Sequence, residues 1–314
     1  MRQGPLPARP GSGVILDMGG GLEFVGARYA ARINLSAPLP ASSVSAPLSL
    51  PVVLVAGADR GVGHALAGRL AAEGWLVLVH AHTAERSAEA LERLVKAGAE
   101  PLRLEAVSAS FADLDEVAGM ARRIEQRHPA LDLLLHTAHV GPHERRVLTV
   151  DGQEQTFQVD YLAPYLLTRR LTGALRKARG RVVSVSSTLH RGASLAWSDL
   201  TRARGYTPLS AYGQAALALT MFTRALAEQQ PDELTAISVD PGSDDPDVVR
   251  MHRWATTPVE HSSDIIAALS TPAMLVRNGA FYEGLLPGQV ATAVEDARAR
   301  DRLRLVSDRL TGLG

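Results

Sequence analysis

From residue 51 onward, short apolar runs alternate with segments in which apolar residues recur every three to four positions. The runs fall at 52–56, 75–80, 102–106, 131–136, 181–187, 235–239 and 280–283. The helical periods fall at 62–73, 84–97, 113–127, 152–178, 210–229, 263–269 and within 289–309. The runs are apolar nearly throughout rather than alternating, as strands of a parallel sheet covered on both faces must be. This rhythm predicts the α/β class: a doubly wound parallel sheet of about seven strands flanked by helices. Right-handed crossovers then place the functional crevice at the carboxyl ends of the strands.

Residues 1–50 stand outside the rhythm. Gly and Pro are dense in 1–13, and Gly19, Gly20 and Gly21 separate two apolar stretches, 14–16 and 22–25, that can pair as a hairpin. Residues 37–51 read as a Pro/Ser/Ala linker. The expectation is a flexible extension over 1–50 and one domain over 51–314.

Composition narrows the function classes. The 314 residues carry 33 basic and 33 acidic side chains, so no bulk charge draws the chain to nucleic acid or to an anionic membrane. Cysteine is absent, which excludes disulfides and thiolate metal sites. No apolar run reaches membrane-spanning length and no leader pattern opens the chain. The expected setting is cytoplasmic, with a small-molecule substrate as partner.

Gly57-Ala58-Asp59-Arg60-Gly61-Val62-Gly63 follows the first long run directly and opens the first helix. Glycines there allow a tight turn and let backbone amides approach a pyrophosphate at a helix N-terminus. In this strand-turn-helix context the motif points to a Rossmann-like, dinucleotide-binding fold. At the end of the second strand, where an acidic residue would hold ribose hydroxyls, stands His82, with Arg60 in the loop. That chemistry favours NADP(H) over NAD.

Further motifs run through 50–314: Val185-Ser186-Ser187, Ser198-Asp199-Leu200 before Tyr206, Ala211-Tyr212-Gly213-Gln214, Asp240-Pro241-Gly242, Gly279-Ala280-Phe281-Tyr282 and Leu305-Val306-Ser307. With the glycine loop, they resemble the short-chain dehydrogenase/reductase family, in its retinol-dehydrogenase-like branch. The resemblance implies hydride transfer between a nicotinamide and a carbonyl or alcohol. It assigns the substrate-holding serine to Ser187 and the proton-transferring tyrosine to Tyr212. It also implies cofactor contacts from Gly57, Arg60, Gly61, Gly63, His82, Pro241 and Gly242, and a homodimer built on the helix of Asp160 and the helix starting at Tyr212, where 213–222 is small and apolar.

Four positions depart from the family pattern. The lysine four residues after the tyrosine is Ala216, and the asparagine of the long helix is Asp160. The Asn-Asn-Ala-Gly stretch reads His136-Thr137-Ala138-His139, and the adenine-contacting aspartate is Ser110. Without a cation beside it, Tyr212 stays protonated at neutral pH and reduction is expected to be poor; with His139, Ser110 and Ala216 altered, NADP(H) binding is expected to be weak or absent. Six histidines, His80, His82, His136, His139, His143 and His190, fall near strand ends and offer replacement acid/base groups, with His139 and Asp160 foremost. His80-Ala81-His82 lacks supporting carboxylates, so no metal site is expected.

Three readings follow: an atypical enzyme of non-redox or weakly redox acid/base chemistry (dehydration, cyclisation or isomerisation), an NADP(H)-dependent carbonyl reductase that tolerates the missing lysine, or a non-catalytic module that keeps the fold. The first is preferred: the presence of both Ser187 and Tyr212 argues against the third, and the four departures argue against the second. The stretch 243–262, with Asp244, Asp245, Met251 and Trp254, is expected to form a substrate lid.

Overall fold

The computed structural model describes residues 50–141, 143–252 and 256–314, together with two short N-terminal strands. Those two strands, β1 (Ile15–Leu16) and β2 (Leu22–Glu23), pair antiparallel, with Leu16 opposite Leu22, as the hairpin reading expects. They belong to a unit, residues 1–49, separate from the unit of residues 50–314. The rest of the expected extension, and Trp254 of the expected lid, lie outside the described residues.

The second unit is an eight-stranded sheet: β3 (Val52–Ala56), β4 (Leu76–Ala81), β5 (Leu104–Ser108), β6 (Leu133–His136), β7 (Arg181–Val185), β8 (Thr235–Asp240), β9 (Phe281–Glu283) and β10 (Leu286–Pro287). The spatial order is β10-β9-β8-β7-β6-β3-β4-β5. All neighbours are parallel except β9 and β10. The seven parallel strands are the seven expected runs, and the antiparallel eighth is an addition. The third strand begins two residues later than expected, because Pro101–Arg103 closes a 3₁₀ turn first.

The central strands bury both faces. Leu54, Leu78, Leu134, Val182 and Ala236 meet α3 (Leu114–Arg127), α5 (Ala163–Ala178) and α6 (Pro208–Gln229). Val53, Val77, Leu135, Val183 and Ile237 meet α1 (Gly61–Ala72), α2 (Ala84–Lys96) and α8 (Val259–Ser270). The chain leaves β3 toward β4 and β5, then returns to the other side at β6. That reversal opens a crevice beyond the carboxyl ends of β3 and β6, where ligands bind in such sheets.

Two local features shape that crevice. The expected long helix starts with the short α4 (Gln155–Phe157), widens to a π turn over Gln158–Leu162, and resumes as α5. Pro164 is the cause. It has no N–H for the carbonyl of Asp160, four residues back, and its ring crowds that carbonyl. The ladder resets with a five-residue step, Ala163 N–H to Gln158 O, and Asp160 sits in the widened turn. The second feature is α7 (Pro246–His252), a helix inside the expected lid. Past α8, α9 (Thr292–Glu295) and α10 (Ala297–Leu310) complete the chain.

Helix α10 packs on α6 and on the start of α5. Tyr161 Oη and Ser307 Oγ share a hydrogen bond of 2.6 Å, and Tyr165 Oη donates to Asp308 at 2.6 Å. Residues 213–222, expected to form a dimer surface, are buried within the single chain. A 22-residue helix so central to one fold spends its small and apolar residues on intramolecular packing, against β8, α10 and the Thr188–Gly192 turn.

Candidate active site

The glycine loop rises from β3 against the β6 end. Gly57 has φ +89°, and a Cβ on it would lie 2.6 Å from the Ala138 backbone. Gly61 has φ +51° and faces open space. A Cβ on Gly63 would lie 2.5 Å from Thr137 Oγ1, so only glycine fits there. The N-cap of α1, Arg60, makes no side-chain capping bond, which leaves the first-turn amides for an anion. Arg60, His82 and Arg86 line the same end, with Arg86 Nη1 3.6 Å from Asp59.

The other half of the site is built from β7, β8 and α6. Buried Asp240 accepts from Thr188 N at 2.7 Å, Thr188 Oγ1 at 2.9 Å and Gly242 N at 3.0 Å, which ties the Ser187 turn to the Pro241-Gly242 bend. Ser187 Oγ accepts from Leu189 N at 3.1 Å. Tyr212 projects from α6, whose start is fixed by a Thr207–Ser210 capping box and Pro208. Burial drives the Tyr212 hydroxyl far above its ordinary pKa. Asp160, Asp240 and Asp245 push it further the same way, and a hydrogen bond with Ser187 opposes them. Ala216, one turn on, supplies no cation; its carbonyl accepts from Ser186 Oγ at 3.2 Å.

Asp160 accepts the Val140 N–H at 2.8 Å. Burial raises its pKa to about 8, against the opposing pull of His139 and of that N–H. His139 is half-exposed, and its Nε2 lies 3.8 Å from Asp245 Oδ2. The Asp245 carboxylate raises the His139 pKa, more than burial lowers it. Reciprocally, His139 holds Asp245 down at about 2.

One cavity of about 700 Å³ is lined by all the residues the sequence assigned to catalysis or cofactor contact: Tyr212, Ser187, Asp160 and His139 at one end, Gly57, Arg60, Gly61, Gly63 and His82 at the other, and Pro241 and Gly242 against the lid. Ser110 lines it too, and so do Ser243, Asp244 and Asp245 of the lid. Arg86 and Thr137 were missed. Arg86 sits one turn past the β4 end, where a strand-end reading stops at His82. The expectation for the six histidines needs correction. His80 and His136 line the cavity but are buried, and burial lowers their pKa to about 4 and about 3. His190 is buried against Phe281 and donates to Ser187 O at 2.7 Å, and neither it nor His143 lines the cavity. Among the described residues no group of three potential ligands is placed to hold a metal.

The family profile of the short chain dehydrogenases matches residues 51–254. The chain belongs to that family. It is therefore placed among oxidoreductases that act on small molecules. This short chain dehydrogenase is similar to polyprenol dehydrogenase of Mus musculus, 29% identical over 284 residues that cover 84% of each chain. It is also similar to retinol dehydrogenase 14 of Homo sapiens, 29% identical over 302 residues, 83% of this chain and 86% of the relative. Among solved structures it resembles landomycin C-6 ketoreductase with bound NADP and rabelomycin: 26% identity, TM-score 0.57, 74% of this chain and 94% of the other. The glycine cradle and the uncapped α1 N-terminus fit a dinucleotide. Arg60, Arg86 and His82 would hold its phosphates, and such a group would supply hydride at the Ser187–Tyr212 end. Among the described residues no helix is long and apolar enough to cross a membrane.

Proposed function

We propose that this short chain dehydrogenase acts on a small oxygenated molecule by acid/base chemistry, with hydride transfer weak or absent. The observation that carries this reading is Asp160, a carboxyl raised to about 8 in a buried turn, beside His139 and in the field of Tyr212. A carboxyl with that pKa holds its proton at neutral pH and can give it up, which the cation-less Tyr212 cannot do easily. Ser187 and Tyr212 donate hydrogen bonds to a substrate hydroxyl or carbonyl oxygen. Asp160 delivers a proton to the departing or developing oxygen. His139, paired with Asp245, takes a proton from the neighbouring carbon. That division of labour suits dehydration or isomerisation.

The test pairs two variants with one redox assay. Tyr212→Phe and Asp160→Asn each lower turnover by roughly 10²-fold or more, the scale of lost acid/base assistance. NADPH oxidation on a panel of small ketones stays near background. Robust NADPH oxidation by the unmodified protein removes the reading. A second reading, an NADP(H)-dependent carbonyl reductase, is favoured by the glycine cradle with Arg60 and Arg86. Calorimetric titration with NADPH and NADH separates the two, and weak binding with NADPH ahead of NADH is expected.

A further inference from the structure

The carbonyl of Ser187 is held twice by one neighbour. The His190 N–H donates to Ser187 O at 3.1 Å, and the His190 ring donates to the same oxygen from Nδ1 at 2.7 Å. A carbonyl has no proton to give, so Nδ1 carries the ring proton. Burial, with a smaller push from Arg191, lowers the His190 pKa against the pull of the Ser187 carbonyl, Asp240 and Glu283. The ring is therefore neutral, and Nε2 is a bare lone pair. That Nε2 is buried and has no hydrogen-bond partner among the described residues. The ring stands edge-on to Phe281 of β9, with centroids 4.5 Å apart. Leucine or phenylalanine would fill this fully buried place without hiding an unpaired nitrogen. Packing alone does not account for a histidine here, and the nitrogen that is satisfied is the one aimed at Ser187.

The rest of the turn is braced from three sides. Asp240 takes the N–H and the hydroxyl of Thr188. Arg191 pairs with Glu283 of β9 and donates to Gln289 O at 2.9 Å, just past β10. Helix α6 presses on the turn at Gly213, where a Cβ would lie 3.1 Å from Ala193 Cβ, and Gly213 directly follows Tyr212. Within the turn, Ser187 Oγ accepts from Leu189 N, and it shares a hydrogen bond with Tyr212. The direction of the serine O–H is thus set by the Ser187–His190 backbone.

We propose that His190 is a positioning residue: its Nδ1–H fixes the Ser187 carbonyl, and through it the direction in which the Ser187 hydroxyl meets a substrate oxygen. The proposal rests on the reading of Ser187 as the group that holds that oxygen, and adds what aims it. Without the Nδ1–H, the carbonyl keeps only the bond from the His190 backbone. The peptide plane after Ser187 can then turn, and the hydroxyl loses its line to the substrate. Such a misdirected donor weakens a hydrogen bond steeply, because the bond depends on angle as well as distance.

Acetophenone labelled with ¹³C at its carbonyl tests this by infrared difference spectroscopy on the full-length protein at pH 7. Hydrogen bonds from the site lower the carbonyl stretch of the bound ketone, and Ser187→Ala should remove part of that shift. His190→Leu fills the space without the donor and should lose the same part. Ser187→Ala combined with His190→Leu should lose no more than Ser187→Ala alone, since both act through one hydroxyl. His190→Asn hangs an N–H donor on Cγ, as histidine does, and should restore the shift; His190→Gln, one bond longer, should not. A packing role gives the opposite order, with leucine tolerated best and a buried amide worst. Equal shifts in the leucine and asparagine variants, or additive losses in the double variant, overturn the proposal. A second measurement needs no variant to fold. The ¹⁵N spectrum of the unmodified protein's imidazoles should show His190 as the neutral Nδ1–H tautomer at pH 7, and an Nε2–H tautomer or a charged ring overturns the proposal. Ser187→Ala keeps the two ideas apart. If it removes part of the shift and His190→Leu does not, the site reading stands and the positioning role falls. If it leaves the shift unchanged, or no shifted band forms with the unmodified protein, the site reading falls and the inference with it.

Discussion

The Gly57 N–H donates to Nδ1 of His80 at 3.0 Å, and His80 Nε2 lies 3.0 Å from the Ala109 carbonyl. The amide must be the donor, so Nδ1 is unprotonated and Nε2–H gives the second bond. One buried neutral imidazole thus joins the glycine loop to the turn after β5, and its ring stacks on Phe111 with centroids 4.6 Å apart. His80 organises the cofactor end rather than performing chemistry there. His80→Leu leaves two backbone groups short of a partner, at about 1–3 kcal/mol for each one left buried. We expect urea unfolding to show a loss of roughly 2–6 kcal/mol on that basis, together with weaker binding of 2′,5′-ADP. An unchanged unfolding midpoint would show that water replaces the imidazole at no cost.

Three buried groups, His80, His136 and Asp160, make stability depend on pH. His80 and His136 have native pKa values of about 4 and about 3, below the 6.5 of an exposed histidine, because burial disfavours their cations. The unfolded chain therefore binds more protons than the native one as pH falls below 6.5, and stability drops toward pH 4, by up to about 3 kcal/mol per histidine. Asp160 works in the other direction. Its native pKa of about 8 lies above the 3.8 of an exposed aspartate, so its contribution declines as pH rises from about 4 to about 8. Below 6.5 the histidines outweigh it; above 6.5 it acts against stability alone among the three. Thermal unfolding should peak near pH 6.5. Asp160→Asn should flatten the alkaline limb and raise the melting temperature at pH 8 while changing little at pH 4. An alkaline limb that keeps its slope in that variant would mean that Asp160 ionises freely in the native state.

The parallel strands were legible because their apolar runs are a direct consequence of burial on both faces. That the candidate residues would share one crevice was legible because chain reversal at β3 and β6 brings the ends of β3 to β8 together; the roles expected of Ser187 and Tyr212 came from the family resemblance. What escaped has local causes. β10 is two residues long and ends in Pro287, too short to leave a period. The π turn depends on where Pro164 falls relative to Asp160, which a helical period of 27 residues conceals. His80 and His136 stood inside apolar runs, and that position was the available signal that their rings are buried rather than open to the crevice. Helix α7 has seven residues and is started by Asp245, so acidic lid residues looked like charge alone and not also like a cap.

The C-terminal helix bears on assembly. Asp308 accepts from Tyr165 at 2.6 Å and Arg169 at 2.9 Å, and the buried Arg300 donates to Glu228 at 2.5 Å and to Val294 O at 2.6 Å. These bonds fasten α10 over Tyr161, Tyr165 and Phe222. With that face covered from within, light scattering at micromolar concentration should report a monomer. Deleting 297–314 would uncover three aromatic side chains and leave Glu228 without Arg300, so the truncated chain should self-associate or fall out of solution. A stable dimer of the intact chain would have to use a surface other than residues 213–222.

Ala216→Lys decides whether the missing cation is the main obstacle to hydride chemistry. The side chain at 216 lines the cavity one turn beyond Tyr212, so a lysine there has room to reach the tyrosine hydroxyl. A cation beside a phenol favours the phenolate and lowers its pKa. Yet the raised Tyr212 pKa has burial as its largest cause, and Asp160, Asp240 and Asp245 add to it. The new ammonium also has those carboxylates as partners and would pair with them first. Asp160 would then ionise, losing the proton that the proposed chemistry needs. We therefore expect Ala216→Lys to leave NADPH-dependent ketone reduction near background and to lower the native reaction. The double variant Ala216→Lys with Asp160→Asn removes the nearest competing carboxylate. If reduction rises sharply in the single variant, the site is a reductase lacking one residue, and the acid/base reading is wrong. If it rises only in the double variant, Asp160 is the group that turns this cavity away from hydride transfer.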